Sequence, residues 1–237
     1  MSGAQALQAD ARVTLLRGAD LVASPWKNGG GVTREIAAAP IAGCIAGGIA
    51  GAAAGTALDT FAWRVSVADV AQAGPFSRFE GVDRTLVLLE GAGMMLDEAG
   101  PTARTHALTA PLDVARFAGE TALTARLVDG PTRDFNLMVR RGAARGTLDV
   151  WRTATSCRST AETLLLFCAR GPVAISVNDA APVTLATGDT LRIDAAQAVD
   201  IATQGGGALL AIALDGVSAQ AGDPSSGTAL PNAMRTS

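Results

Sequence analysis

Along most of this chain apolar and polar residues alternate one for one, in short runs that stop at Gly, Pro, Asp or Asn. Phe61-Ala62-Trp63-Arg64-Val65-Ser66-Val67 and Asp134-Phe135-Asn136-Leu137-Met138 show the pattern well. A period of two marks a strand whose two faces meet different surroundings, whereas a helix repeats near 3.6. Strands are predicted over 61–67, 85–89, 94–96, 113–117, 122–128 and 135–140, then over 148–152, 163–168, 173–177, 183–185, 190–193, 198–202 and 208–214. Turn signals recur about every eight to twelve residues, the rhythm of an all-β fold.

The two series of strands echo each other. Thr85-Leu86-Val87-Leu88-Leu89-Glu90-Gly91 returns as Thr163-Leu164-Leu165-Leu166-Phe167, ending in Arg170-Gly171. The run from Pro111 to Gly119-Glu120 returns as the run from Pro182 to Gly188-Asp189. Shared order with unequal offsets is what a diverged duplication leaves. Two jelly-roll β-barrels are therefore expected, with a β-sandwich of another topology as the alternative. The predicted boundaries are a loose N-terminus (1–10), an N-terminal barrel (11–145), a C-terminal barrel (146–216) and a disordered Ser/Gly/Ala/Pro-rich tail (217–237) with little to bury.

One stretch breaks the alternation. Residues 41–58 carry no charge and divide into tetrads that place Gly43, Gly47, Gly51 and Gly55 four apart. That spacing suits close helix packing in lipid, yet the run is weakly hydrophobic and lacks aromatic and basic anchors. A membrane span here would also tear apart the flanking strand segments. A low-complexity insertion in a loop is the expectation.

Composition narrows the function. With 237 residues, 49% of them hydrophobic, the chain can bury a large core, but at 4% aromatic residues and no Tyr that core must be built from Val, Leu, Ile and Ala. A formal charge of −3, with scattered arginines and no basic-aromatic cluster, argues against a nucleic-acid partner. Cys44, Cys157 and Cys168 are odd in number and lack metal-ligand spacing, as expected of free thiols in a reducing compartment. The first ten residues have neither the basic nor the apolar block of a signal peptide, so a cytoplasmic protein without a membrane partner is expected, with a homodimer left open.

Polar residues on strand positions are the candidates for chemistry. In Trp26-Lys27-Asn28-Gly29-Gly30-Gly31-Val32-Thr33-Arg34-Glu35-Ile36 three glycines permit close approach, after which Arg34 and Glu35 point to opposite faces of a strand. Trp63, Val65 and Val67 share one face of their strand and Arg64 and Ser66 the other, so a guanidinium stands in mid-strand. Its unpaired burial would cost on the order of several kcal/mol. Its partner is either an internal carboxylate, such as Glu35 or Asp134, or an anionic ligand whose carboxylate the planar fork matches with two bonds. Asp134, Asn136 and Met138 make a second mixed face suited to lining the same interior, with Asn28 and Asn136 as orienting amides. Arg84 is read as tied to Asp83 or a turn carbonyl and as a second-rank ligand contact. The candidate ligand-binding set is Arg64, Asn28, Trp26, Arg34, Glu35, Ser66, Asn136, Asp134 and Arg84.

Taken together, the Trp26 to Ile36 string, the strand from Phe61 to Ala68, Gly74-Pro75-Phe76-Ser77-Arg78-Phe79, Gly81-Val82-Asp83-Arg84, Leu88-Leu89-Glu90-Gly91, Phe117-Ala118-Gly119-Glu120 and Asp134-Phe135-Asn136-Leu137-Met138 resemble the HutD/Ves family. The likeness is close over about 14–141 and looser beyond. It implies an RmlC-like bicupin, two cupin barrels in one chain, often encoded alongside histidine-degradation enzymes. It further implies no settled enzymatic activity and a role in binding a small acidic intermediate. Related sequences pass from the Ile36 strand to the Trp63 strand through a shorter loop than the one here.

A cupin metal site takes two or three imidazoles and a carboxylate, whereas His106 is the single histidine and falls in an expected surface loop. No Asp/Glu cluster offers a hard-oxygen alternative, so neither metal nor cofactor is expected. There is no Gly-x-Ser-x-Gly elbow, and the glycine triplet lacks phosphate-loop spacing and precedes a strand. No catalytic residue is identified. The expected function is a metal-free bicupin that binds a small carboxylate metabolite, accessory or regulatory in histidine or nitrogen catabolism. The alternatives are a metal-independent isomerase or hydrolase acting through Glu35 and Arg64 on a small acidic substrate, and a protein-interaction module docking through the tetrad insert.

Overall fold

A computed structural model describes residues 11–41, 60–101, 103–152 and 154–217. The expected loose N-terminus, nearly all of the tetrad insert and the tail beyond 217 lie outside the described residues.

The described residues form strands throughout, with one 3-10 turn at Gly18–Asp20. The strands of the first half are β1 (Arg12–Leu16), β2 (Ala23–Pro25), β3 (Gly31–Pro40), β4 (Phe61–Val70), β5 (Gly74–Pro75), β6 (Val82–Glu90), β7 (Met94–Glu98), β8 (Thr105–Leu108), β9 (Val114–Ala118), β10 (Leu123–Leu127) and β11 (Thr132–Arg140). The second half contributes β12 (Ala144–Trp151), β13 (Ser156–Ser159), β14 (Thr163–Arg170), β15 (Val173–Val177), β16 (Val183–Leu185), β17 (Thr190–Asp194), β18 (Val199–Gln204) and β19 (Ala208–Gly216). Among these residues no helix is long and apolar enough to cross a membrane.

Four antiparallel sheets result. The orders are β2-β3-β4-β11-β6-β9 and β5-β10-β7-β8 in the first half, then β12-β19-β14-β17-β1 and β13-β18-β15-β16 in the second. The eight strands β4 to β11 thus recur in the same order as β12 to β19. Each half stacks its two sheets around an apolar layer. Val70, Leu86, Leu88, Met94, Leu96, Leu108 and Leu123 fill the first, and Leu164, Leu166, Leu185, Leu191, Ile193 and Ile201 the second. A third layer joins the halves, because the remaining faces of the two large sheets are also apolar. There Phe135 and Phe167 meet with ring centroids 4.9 Å apart. Trp63, Val65 and Val67 belong to this joining layer, which leaves Arg64 and Ser66 facing the interior of the N-terminal half, as alternation requires.

Three sequence expectations need correction. First, β1 was assigned to the N-terminal unit but pairs with β17, Arg12 opposite Asp194 and Leu16 opposite Thr190, so it completes the C-terminal sheet. The joint is close: a Cβ on Gly18 would lie 2.6 Å from the Gly188 carbonyl oxygen. Second, the C-terminal series begins at Ala144, two residues before the expected boundary. Third, the repeat is offset from the one read in sequence. Leu88 N–H donates to the Asp113 carbonyl (3.1 Å) and Cys168 N–H to the Asp189 carbonyl (2.8 Å), which makes Leu88 equivalent to Cys168 and Asp113 to Asp189. Thr85 therefore corresponds to Leu165 rather than Thr163, a slip of two residues that apolar-run matching cannot detect because it preserves the face.

Candidate functional site

Pairing between strands sets the site. Ser66 stands opposite Asn136 and Arg64 opposite Met138 across β4 and β11. Asn136 stands opposite Leu86 and Met138 opposite Arg84 across β11 and β6, and Arg84 faces Phe117 on β9. One row across the interior face of the sheet reads Arg64, Met138, Arg84, Phe117. The next reads Glu35, Ser66, Asn136, Leu86. Two strand spacings put the backbones of Arg64 and Arg84 about 10 Å apart.

The two arginines are held differently. Arg64 Nε donates to Glu35 Oε2 at 2.6 Å, with side-chain exposures of 14% for the arginine and 51% for the glutamate. Arg84 is 7% exposed and has no carboxylate partner among the described residues. Its guanidinium donates instead to Asn136 Oδ1 (3.3 and 3.4 Å) and to the Ser77 carbonyl (3.2 Å). Phe76, Phe79 and Phe117 surround it, with centroids 5.4, 5.5 and 5.2 Å from Cζ. Aromatic faces attract a cation but cannot neutralise it. Burial, helped by the nearby Arg64 charge, pushes the Arg84 pKa down to about 10.

Asp134 lies one row further in, fully buried, opposite Leu88 and Ala68. Thr132 donates to one of its oxygens at 3.2 Å and the other has no partner. Burial raises its pKa to about 7, Thr132 opposing the shift and the Asp69 charge adding to it. Arg64, Ser66, Arg84, Asp134 and Asn136 thus share one interior, with the half-exposed Glu35 beside Arg64.

The other sequence candidates do other things. Trp26 Nε1 donates to Thr33 Oγ1 at 2.8 Å while its ring supports the interior layer. Gly31 packs so closely on that ring that a Cβ would fall 3.1 Å from it and 2.5 Å from the Asp69 carbonyl oxygen, which is the close approach the glycine triplet provides. Asn28 is exposed and uses Oδ1 to accept from Gly30 N–H at 3.1 Å, holding the turn rather than facing the interior. Arg34 points to the opposite face, pairs with Asp69, and lines a cleft of about 300 Å³ between the halves with Arg133, Glu90 and Phe167. Arg84 is not tied to Asp83, which Arg141 engages at 2.5 Å. The turn carbonyl alone is as expected.

Sequence reasoning missed part of the interior. His106 is not in a surface loop: it lies on β8 opposite Leu96, on the face that buries Leu108. Its Nε2 is 2.9 Å from Glu98 Oε1, and its ring centroid is 5.9 Å from that of Phe117. The available signal was the continuation of alternation, Met94, Leu96, Glu98 on one strand and His106, Leu108 on the next. Three of the six phenylalanines converge on Arg84, two of them from the Gly74 to Phe79 string. No group of three or more His, Cys, Asp or Glu able to hold a metal occurs among the described residues.

The C-terminal half supplies an internal comparison. Its pairings make Leu164 equivalent to Arg84, Ile193 to Phe117, Ala211 to Asn136 and Leu209 to Asp134. Three polar groups of the first interior are thus replaced by apolar ones, while Arg64 and Ser66 correspond to the exposed polar residues Thr147 and Asp149. Packing alone therefore does not require Arg84, Asn136 or Asp134 in this architecture.

Two stacked pairs of antiparallel sheets in this repeated order define a cupin-like all-β protein. The chain belongs to the HutD family, whose model matches residues 18–211. It is 34% identical over 183 residues to an uncharacterised 21.2 kDa protein in the hutC 3′ region of Pseudomonas putida, covering 77% of this chain and 87% of that one. It is 36% identical over 126 residues to protein Ves of Citrobacter koseri, covering 53% and 56%. Among solved structures, HutD from Pseudomonas fluorescens SBW25, in a formate condition, superimposes with a TM-score of 0.71 at 33% identity, covering 87% of this chain and all of that one. YlbA of E. coli, at 12% identity and a TM-score of 0.59, shares the fold.

Proposed function

We propose that the protein is a metal-free bicupin that binds a small carboxylate metabolite between the sheets of its N-terminal barrel, as an accessory or regulatory component of histidine or nitrogen catabolism. The observation that carries this reading is Arg84, a buried cation with three aromatic neighbours and no carboxylate partner among the described residues. A carboxylate completes it, and Arg64, Ser66 and Asn136 stand in the adjacent positions to orient that ligand. The hutC-region relative and the family membership support the metabolic setting. The formate condition of the P. fluorescens structure makes formate a natural first probe.

Calorimetric titration with formate, acetate, urocanate and formylglutamate tests the reading. Binding of at least one of them, weakened at least tenfold in Arg84→Met, is expected. No binding by any, or affinity unchanged in Arg84→Met, overturns it. Elemental analysis of purified protein should find no stoichiometric transition metal. One equivalent of zinc, iron or manganese, lost with His106→Ala, removes the metal-free part. A second reading, acid-base catalysis without metal, is favoured by Asp134, whose pKa near 7 suits proton transfer at neutral pH. Turnover of a bound probe, lost in Asp134→Asn, would select it.

A further inference from the structure

The sheet that faces the arginines carries a pair of opposite chemistry. Glu98 on β7 and His106 on β8 extend the interior faces that begin with Met94, Leu96 and Leu108, and each side chain is 21% exposed. Phe117 is their shared neighbour with Arg84: its ring centroid lies 5.9 Å from that of His106 and 5.2 Å from Arg84 Cζ. The pair therefore stands one aromatic ring away from the unpaired guanidinium.

Hydrogen-bond inventory fixes what this pair offers. Where Glu98 accepts as a carboxylate, the 2.9 Å contact makes His106 Nε2 the donor. A neutral imidazole so arranged has a bare Nδ1, which is an acceptor, and Glu98 keeps further lone pairs beyond the one His106 uses. Arg84 and Arg64 are donors only. The interior thus has two cationic donors on one sheet, beside Asn136 and Asp134, and an acceptor pair on the other.

We infer that Glu98 and His106 are ligand contacts, and that the ligand of this site is a small carboxylate carrying an N–H or O–H donor at its far end. This rests on the carboxylate-binding reading above and adds selectivity to it. The carboxylate meets the arginines and the donor meets Nδ1 of His106 and the free oxygen of Glu98. A second carboxylate at the far end is rejected, since it places negative charge and lone pairs against acceptors. A methyl group there leaves the acceptors without a partner once water is displaced.

The test uses matched carboxylates of three to six carbons whose far end is methyl, hydroxyl, ammonium or a second carboxylate, titrated at pH 8. In the wild-type protein, the hydroxyl or ammonium member of the best-fitting length should bind at least tenfold tighter than its methyl counterpart, and the dicarboxylate more weakly than both. In Glu98→Gln and in His106→Ala the preference should shrink to about twofold or less, while the methyl carboxylate still binds. That retained binding, lost on adding Arg84→Met, shows that the variants are folded and the cationic donors intact. Equal affinity across the series in the wild-type protein overturns this inference and leaves the carboxylate site standing. So does a preference that survives both variants. Absence of binding by every member overturns the carboxylate reading itself.

Discussion

Arg64 and Arg84 stand on either side of Met138 in one row across three neighbouring strands, and of the two only Arg64 has a carboxylate partner among the described residues. Like charges so placed disfavour each other, and the site holds them together without neutralising both. An arrangement of this kind weakens the free protein and strengthens its complex with an anion, so stability and affinity should respond to substitution in opposite directions.

Arg84→Met keeps much of the apolar side chain and removes the unpaired charge. Urea unfolding should show a gain of about 1–2 kcal/mol, and carboxylate affinity should fall by about 2–4 kcal/mol. Arg64→Met differs, because Glu35 is half exposed and regains water: stability should change by less than about 1 kcal/mol while affinity still falls. A large stability loss in Arg64→Met, relieved by adding Glu35→Gln, would make that arginine a structural bridge.

Asp134 gives the fold an alkaline liability. Burial raises its pKa to about 7, so the folded state keeps a proton that the unfolded chain releases near pH 4. The unfolded state then binds fewer protons, and stability contributed by this group declines as pH rises from about 4 to about 7, by on the order of 4 kcal/mol at most. Asp134→Asn should remove that decline and raise the unfolding midpoint at pH 8 relative to pH 5. Parallel pH profiles of urea unfolding for both proteins check this.

Asp189 has the opposite sign. Burial alone would raise its pKa, but Gly18 N–H (3.0 Å), Arg17 Nη1 (2.8 Å) and Ala186 N–H (3.1 Å) all donate to it and hold the carboxyl below its ordinary value. Its contribution is present above the unfolded pKa and is lost as pH falls through the carboxylate range and below. Asp189→Asn should cost about 1–3 kcal/mol at pH 7 and almost nothing at pH 2, read by the same unfolding experiment.

Ile41 N–H donates to the Thr60 carbonyl at 3.0 Å, so the ends of the interrupted β3 to β4 connection already meet. Replacing residues 43–58 by a two-residue Asn-Gly turn should leave a folded protein with Tm within about 4 °C of the parent, since closure entropy varies only slowly with the length of a connection. Loss of the cooperative transition on scanning calorimetry would show that the insert belongs to the core.

Strand identity was legible wherever a strand is long and alternates, as in β4 and β11, because burial of one face writes its period into the residues. Strands β1, β2, β5, β8 and β13 were not foreseen: each is five residues or shorter and takes its place from its partners. The same limit hid His106, whose four-residue strand has too few positions to declare a face. Arg64, Ser66, Asn136 and Asp134 were found on one interior because mid-strand polar residues contradict their surroundings. Arg84 was undervalued because adjacency to Asp83 suggested a pair, although neighbours on a strand point to opposite faces. Its partners, Phe76, Phe79 and Phe117, come from two separate segments, and no local pattern announces such a meeting.

The pairing of β1 with β17 also orders events on the ribosome. The first strand of the chain emerges some 170 residues before the strand that receives it, a wait of roughly ten to thirty seconds at synthesis rates of about 5–20 residues per second. During that interval Arg12–Leu16 is a bare strand with no edge to join, and the N-terminal sandwich must assemble without it. That strand is captured only after β17 has been made, so anything fused ahead of Arg12 is held close to the C-terminal half rather than to the arginine-lined interior.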